Sequence, residues 1–342
     1  MTKPSVSMVI PGRNCAATIA ECLTAATTIF KAQDSSLKEI LFVDDGSTDN
    51  TPEIVTQFPS VTLLPGEGKG PGSARNLGWR AAKHPLIWFV DSDCVAEPDA
   101  LNLLLPHLGD PRIAAVSGSY GNMRPDSLLA RLIHEEIIER HRRMKTEVNF
   151  LATFNVLYRK SVLQELNGFD TRYLKGQDAE LAFRAAEAGH TLHFELNSQV
   201  GHYHETNWRK YLRIQRQQGY WRVWLHFRHS GHAGGDSYSN FTDHIQPPLA
   251  MLFLASLILI PLSLLPNIPN WIGMTCMTAS SGLLLLLGLT QLPMTLSLIR
   301  RVKNLSYLLF VPMSMIRAFW RGIGMTGGTL NYLTQRNRSK ID

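Results

Sequence analysis

The sequence predicts an α/β protein with a doubly wound, mostly parallel sheet, followed by apolar helices toward its C-terminal end. Three observations predict it. Short apolar runs recur at Val6–Ile10, Glu39–Val43, Val61–Leu64 and Leu86–Val90, with helical periodicity between them. Each run ends in a polar, turn-prone cluster, so the clusters should converge on one sheet edge, where open α/β sheets bind ligands. Nearly all the long aliphatic runs lie after residue 248, so the last third reads as membrane.

The elements follow in order. Val6–Ile10 is stopped by Pro11-Gly12-Arg13-Asn14, and Ala16–Phe30 carries helical spacing with Thr18 as a candidate cap. Glu39–Val43 ends in Asp44-Asp45-Gly46-Ser47-Thr48-Asp49, and a short helix over Pro52–Phe58 follows, with Thr51 at its cap. Val61–Leu64 leads into a glycine-rich loop, Gly66–Gly72. That loop lacks G-x-x-x-x-G-K-[ST] and so makes no phosphate loop of that type. The helix Ala74–Lys83 then returns the chain to Leu86-Ile-Trp-Phe-Val90. Asp91-Ser92-Asp93 follows, with two carboxylates at i and i+2 that suit a hard divalent cation. Taken singly, D-x-D and Asp44-Asp45-Gly46 also read as plain turns. Their shared sheet edge favours a site.

The second half reads as a strand at Ala114–Tyr120, a charged helix over Ser127–Lys145, a strand at Phe154–Lys160, a helix Ala179–Ala188 opened by Gly176-Gln177-Asp178, and a strand at Thr191–Phe194. His134-Glu135-Glu136 on the charged helix fails the H-E-x-x-H zinc spacing, because Ile138 stands where the second histidine belongs. That face is expected to be solvated or membrane-facing. Val200-Gly-His202-Tyr-His204 places two histidines at i and i+2 after a strand.

Composition narrows the function classes. With 44% hydrophobic and 18% charged residues, disorder is not the default. A net charge of +6 gathers at Arg140–Arg143, Arg209–Arg228, Arg300–Lys303 and Arg336–Lys340. Beside apolar spans, attraction to anionic membrane lipids explains these clusters more economically than nucleic acid, for which no motif is present. Cys15, Cys22, Cys94 and Cys276 form no C-x-x-C pair, which fits reduced thiols in a cytosolic compartment. The N-terminus lacks the long apolar core of a signal peptide, so the catalytic part is expected in the cytoplasm.

Four motifs carry a resemblance. Val6-Ser-Met-Val-Ile-Pro-Gly-Arg-Asn14, Val43-Asp-Asp-Gly-Ser-Thr-Asp49, Gly72-Ser-Ala-Arg-Asn-Leu-Gly78 and Val90-Asp-Ser-Asp93 resemble, in order and spacing, the family-2 glycosyltransferases of the GT-A fold, a Rossmann-like architecture. The resemblance covers roughly residues 4 to 225. It implies that Asp45 binds the nucleoside base with Asp44 supporting the turn, and that Arg75 lies near the diphosphate or braces the metal carboxylates. It further implies that Pro11, Asn14 and Ser92 line the donor site, and that Asp91 and Asp93 hold a bridging Mg²⁺ or Mn²⁺. Asp178 matches the family's catalytic base, with Gln177 standing where the family usually shows Glu. A place near a helix N-terminus should keep its pKa low. Asp178 also reads simply as a helix-capping carboxylate. His202, with His204 second, matches a third metal contact. The donor would be a nucleoside-diphosphate sugar, UDP-linked by preference.

Asn207–Arg228 interleaves Trp208, Tyr211, Trp221, Trp224 and Phe227 with basic residues, which suits an interfacial helix; a domain-closing helix is the other reading. Gln217-Gln218-Gly-Tyr-Trp221 resembles the Q-x-x-R-W signature of processive synthases, but Tyr220 replaces the Arg. That departure favours single transfer over polymerisation. The expected organisation is a catalytic domain over 1–230, with a nucleotide-sugar half over 1–110 and an acceptor half over 111–230 that includes the interfacial helix 207–229. A linker over 231–246 follows, then a membrane hairpin over 247–300 and a basic interfacial or third membrane helix over 301–342. The hairpin's flanking charges put the catalytic domain on the cytoplasmic face of a bacterial inner membrane.

These readings converge on an inverting, metal-dependent glycosyltransferase acting on a lipid-linked acceptor or envelope glycan. Three alternatives compete with this reading: a catalytically inactive nucleotide-sugar-binding scaffold, a processive polysaccharide synthase, and a dinucleotide-dependent enzyme. The last is disfavoured because G-x-G-x-x-G does not follow the first strand.

Overall fold

A computed structural model describes residues 4–229, 231, 235–262 and 269–338. The chain divides into two compact units, Met1–His204 with Asp236–Tyr238, and Glu205–Gly235 with Ser239–Asp342.

In the first unit, β1 (Val6–Gly12), α1 (Ile19–Lys31), β2 (Leu37–Asp44), α2 (Thr51–Val55), β3 (Val61–Pro65), α3 (Pro71–Ala81) and β4 (Leu86–Val90) alternate as expected. Thr18 occupies the N-cap position of α1 without a side-chain cap bond, its hydroxyl donating to the Cys15 and Ser92 carbonyls; on α2 that position belongs to Asn50, and the Thr51 hydroxyl donates to Asp49. Beyond β4 come β5 (Cys94–Ala96), α4 (Ala100–Leu104), β6 (Ile113–Asn122), α5 (Leu128–His141), β7 (Glu147–Val148), β8 (Asn155–Arg159), α6 (Lys160–Glu165), α7 (Gln177–Glu187) and β9 (Thr191–His202). They build one sheet of order β3-β2-β1-β4-β8-β6-β9-β5, with β7 on β9. It is parallel from β3 to β4, whereas β8, β5 and β7 run antiparallel to their neighbours and only β6 and β9 pair in parallel.

Both faces of β1, β2 and β4 are covered, which is why those strands are apolar runs rather than alternating ones, whereas the edge strand β3 is only partly buried. Met8, Ile10, Phe42, Trp88 and Val90 pack to one side with α1 and α4, while Val9, Leu41, Ile87 and Phe89 pack to the other with α3 and α7. Gly78 sets the approach of α3. A Cβ there would lie 2.3 Å from Val9 Cγ1, so only glycine lets the helix lie this close to β1. Two covered faces and parallel crossovers carry the ends of β1, β2 and β4 to one edge, and the site gathers there.

The charged face of α5 is buried, not solvated. Glu136 and Arg140 form a 2.7 Å ion pair with each side chain 7% exposed, and Glu139 and His141 are also buried. The cause is packing against β6 and the returning segment Asp236–Tyr238: Ser119 Oγ lies 2.8 Å from His141 Nδ1, and the Arg140 guanidinium lies 5.3 Å from the Tyr238 ring. Ser237 donates to Asn149 Oδ1 and accepts from the Asn149 amide, which fixes the segment. The stretch expected as a linker is therefore partly structure, and from Phe241 it is helical. Residues 230 and 232–234 of that stretch lie outside the described residues.

The second unit holds α8 (Trp208–Arg228), α9 (Phe241–Leu262), α10 (Asn270–Leu289), α11 (Leu292–Val302) and α12 (Phe310–Arg338). The division falls at His204 rather than at the expected 230 because α8 pairs with α12. Glycines let the two backbones meet: a Cβ at Gly324 would lie 2.0 Å from the Arg216 carbonyl oxygen. Arg321 donates to Gln215 and Gln218 of α8, and Phe227 stacks on Tyr332 with ring centroids 4.4 Å apart. Phe241–Pro261 and Trp271–Val302 are long and apolar enough to cross a membrane, and side chains such as Ile258 and Leu285 are about two-thirds exposed (66% and 65%). The second stretch is interrupted by a turn at Thr290–Gln291. Residues 267 and 268 of the expected turn at Asn267–Asn270, and the end of the basic tail, residues 339–342, lie outside the described residues.

Candidate active site

The first three strand ends are knitted together by their own polar groups. The Asp45 amide donates to the Gly12 carbonyl at 2.8 Å, and the Gly66 amide donates to the Asp44 carbonyl at 2.7 Å. Asn14, at φ 52°, accepts from the Thr48 amide through Oδ1 and donates its own amide to Ser47 Oγ. The Asp44 carboxylate accepts from the Ser47 amide. Pro11 is buried within β1 beside Val43. Asp45 Oδ2 accepts from the Gly70 amide at the start of α3, and its Oδ1 is buried with no partner among the described residues. A buried carboxylate oxygen left open is costly unless a ligand completes it.

Arg75, on the first turns of α3, is 4% exposed. Its Nη2 donates to Asp91 Oδ1 at 2.6 Å, while Nε and Nη1 are buried without a partner among the described residues. Buried guanidinium donors left open suit an anionic ligand. The two carboxylates after β4 thus part company. Asp91 turns to Arg75, whereas Asp93 Oδ2 lies 3.4 Å from His202 Nε2. Burial pushes the Asp93 carboxyl up, but the hydrogen bond and charge of His202 outweigh it and hold Asp93 below the ordinary carboxylate range. Ser92 contributes its carbonyl to Thr18.

Asp93, Cys94 and His202 place ligand-type atoms within 4.8 Å of one another, the one such group of three among the described residues. Cys94 is fully buried, and its soft sulfur suits a hard Mg²⁺ or Mn²⁺ ion poorly. The remaining carboxylate–imidazole pair fits a Mg²⁺ or Mn²⁺ ion that takes its other ligands from a diphosphate and water. His204 does not face Asp93 in the same way. Its Nδ1 lies 2.9 Å from His202 Nδ1 and its Nε2 lies 3.2 Å from His134 Nδ1. Burial, followed by the neighbouring His202 and His134, pushes the His204 pKa down to about 2, so the ring is neutral.

Asp178 sits in the first turn of α7, after Gly176, which caps the helix in the left-handed conformation (φ 79°). Its Oδ1 accepts from the Ala179 amide at 2.9 Å. Contrary to the sequence expectation, its pKa is raised: burial outweighs the Ala179 hydrogen bond and the Arg75 charge, and Asp91 adds to the rise. Neighbouring Gln177 is buried, with Oε1 unpartnered among the described residues. Arg184 locks α7 in place, donating to Glu180 at 2.6 Å and 2.7 Å and to the Leu166 and Gly168 carbonyls.

The first unit brings together Asp45, Arg75, Asp91, Asp93, His202 and Asp178. Gln217, Gln218 and Trp221 lie on α8 of the second unit, where Gln218 accepts from Arg321. Sequence reasoning missed Asn76, whose Oδ1 accepts from the Phe169 amide and whose Nδ2 donates to the Phe169 carbonyl, both at 2.8 Å. That pair ties α3 to the loop before α7, and the quoted motif already contained the residue. It also missed Tyr120, stacked on Phe154 with its ring centroid 4.8 Å from that of His202. No sequence signal marked it.

Residues 7–166 match the family model described as Glycosyl transferase family 2. Glycosyltransferase AglE of Haloferax volcanii is 29% identical over 201 residues, covering 56% of this chain and 65% of that protein, so the chain spans just under two thirds of that relative's length. The O-antigen chain rhamnosyltransferase RfbN of Salmonella typhimurium is 24% identical over 289 residues, 80% of this chain and 85% of that protein. Among solved structures, a mannosyltransferase from Pyrobaculum calidifontis, in complex with GDP-Man and Mn²⁺, superposes with a TM-score of 0.56 at 17% identity. It covers 96% of this chain and 88% of that one, a likeness of fold.

Proposed function

This chain belongs to the family-2 glycosyltransferases, and on that premise we propose that it transfers a sugar from a nucleoside-diphosphate donor to a hydroxyl or phosphate acceptor, with inversion and with a divalent cation. One observation carries the reading: Arg75 with two open donors, the Asp93–His202 pair and Asp178 all belong to one edge of one sheet. Asp45, with its open Oδ1, binds the nucleoside. Arg75 binds the diphosphate and holds Asp91. Asp93 and His202 hold Mg²⁺ or Mn²⁺, which when bound supplies positive charge to the departing diphosphate. Asp178 takes the proton from the acceptor hydroxyl as that oxygen attacks the anomeric carbon, through an oxocarbenium-like transition state. The Mn²⁺ and GDP-Man bound by the mannosyltransferase of like fold support the cation and the donor class. Because that donor carries guanosine, the expected preference for UDP has no support from it, and both bases belong in the test.

The acceptor is a lipid-linked or envelope glycan at the cytoplasmic membrane face. Support comes from the two apolar helices and from the O-antigen relative. Transfer is single rather than processive, supported by Tyr220 in place of Arg. The test incubates purified full-length protein and Mn²⁺ with UDP- and GDP-sugars, and follows nucleoside-diphosphate release. Release is expected from wild type, and Asp93→Ala should reduce it to background. Full turnover in Asp93→Ala would refute the metal assignment.

A further inference from the structure

Three imidazoles run in series from the metal pair, and we infer that His204 and His134 are positioning residues that fix the tautomer in which His202 presents its Nε2 lone pair to the cation. The inference rests on the Asp93–His202 metal reading above.

The geometry is a chain of ring nitrogens. His202 Nε2 lies 3.4 Å from Asp93 Oδ2. On the other side of the ring, His202 Nδ1 meets His204 Nδ1 at 2.9 Å, and His204 Nε2 meets His134 Nδ1 at 3.2 Å. His204 is 1% exposed, and both of its nitrogens face another imidazole. A neutral imidazole carries one donor and one acceptor, so the direction of one hydrogen bond dictates the next.

With all three rings neutral, only two arrangements satisfy the chain. In one, His134 Nδ1–H donates to His204, His204 Nδ1–H donates to His202, and His202 Nε2–H points at Asp93. That form has no lone pair for a cation. In the other, His202 Nδ1–H donates to His204 Nδ1, and His204 Nε2–H donates to His134 Nδ1. His202 Nε2 is then a free ligand atom beside the Asp93 carboxylate. Passing from the first to the second moves one proton within each of the two hydrogen bonds. It also releases one proton from His202 Nε2 to solvent and takes one up at His134 Nε2, so all three rings stay neutral. The acceptor lone pair of His134 Nδ1 is what terminates the second arrangement.

The backbone keeps the chain in register. The Tyr203 amide donates to the Asp93 carbonyl at 3.1 Å, and the Met123 amide donates to the His202 carbonyl at 3.1 Å. The Tyr203 hydroxyl binds Glu21, and the Arg124 guanidinium lies 5.3 Å from the Tyr203 ring. The turn carrying both histidines is thereby held against β5, α1 and the end of β6. His134 reaches it from α5, whose opposite groups Glu136 and Arg140 are buried and paired.

The test measures Mn²⁺ on full-length protein in detergent, with and without UDP or GDP. Affinity comes from continuous-wave EPR titration, and the directly bound imidazole nitrogen comes from pulsed EPR. His134→Asn keeps an acceptor at the δ position, and His134→Leu removes it; His134→Phe replaces the Leu variant if that one does not fold. Wild type and His134→Asn should bind Mn²⁺ alike and show the nitrogen coupling. His134→Leu should bind about tenfold more weakly, as loss of an outer-shell partner does elsewhere, and lose part of that coupling at an unchanged unfolding temperature. An unaltered affinity and coupling in His134→Leu would overturn the relay, and so would a His134→Asn variant as impaired as His134→Leu. Wild-type protein that binds no Mn²⁺ would bring down the metal reading itself, and this inference with it.

Discussion

At Asp178 two opposing effects meet, and their sizes decide which one wins. A helix N-terminus is worth about 0.3–1 kcal/mol to a carboxylate, and one pKa unit corresponds to about 1.4 kcal/mol. The dipole alone therefore moves a pKa by less than about one unit, and burial against Asp91 overturns it. A base is active only when deprotonated, so a raised pKa lifts the acid limb of the pH profile. The limb of kcat/KM should lie above the ordinary aspartate value of about 3.9, with activity lost as pH falls through it. Asp178→Asn should lower kcat by about 10²–10⁴-fold while nucleotide binding, followed calorimetrically, persists. A wild-type limb at or below the ordinary value would contradict the burial. The identity and spacing of Asp178 were legible in the sequence. Its surroundings were not, because Arg75 and Asp91 reach it from α3 and from the loop after β4, about 100 and 90 residues earlier in the chain.

At the scale of elements, β1, β2 and β4 were legible because a strand buried on both faces has to be an apolar run. The motif ends of β1, β2 and β4 were legible for the same reason, and so was their shared edge. The antiparallel partners β8, β5 and β7 were not, since pairing direction leaves no local mark on five, three or two residues. Nor was the buried face of α5: Glu136 and Arg140 look solvent-facing until a partner at i+4 and a covering segment are known. The α8–α12 pair shows the same limit. Gly219, Gly324 and Gly328 are visible in the sequence, but the backbone each one meets is not. A Cβ at Gly324 would collide with the Arg216 carbonyl oxygen, so Gly324→Ala should force the helices apart and cost about 1–3 kcal/mol. Thermal unfolding in detergent reads this directly. An unshifted midpoint would mean that the two helices are not in contact at that position.

For the molecule as a whole, the proposal to test is attachment to a lipid surface. Two mechanisms are available in one chain, and they differ in how salt acts on them. The basic clusters at Arg209–Arg228 and Arg300–Lys303 attract anionic headgroups, each cation near the surface contributing about 1 kcal/mol. At 1 M salt the Debye length falls to about 3 Å, and that attraction is screened. The helices Phe241–Pro261 and Trp271–Val302 act instead through apolar area. About 20 residues at ~1.5 Å each suffice to cross the hydrocarbon, a length both stretches reach, and salt leaves an apolar term intact or strengthens it. Membranes from cells producing the full chain should therefore retain it through washes in 1 M NaCl and in alkaline carbonate, with release only in detergent. Quantitative immunoblotting of pellet and supernatant reads the partition. Release by salt alone would assign the attachment to the charged helices, and would leave the apolar faces of α9 and α10 to pack against protein rather than lipid.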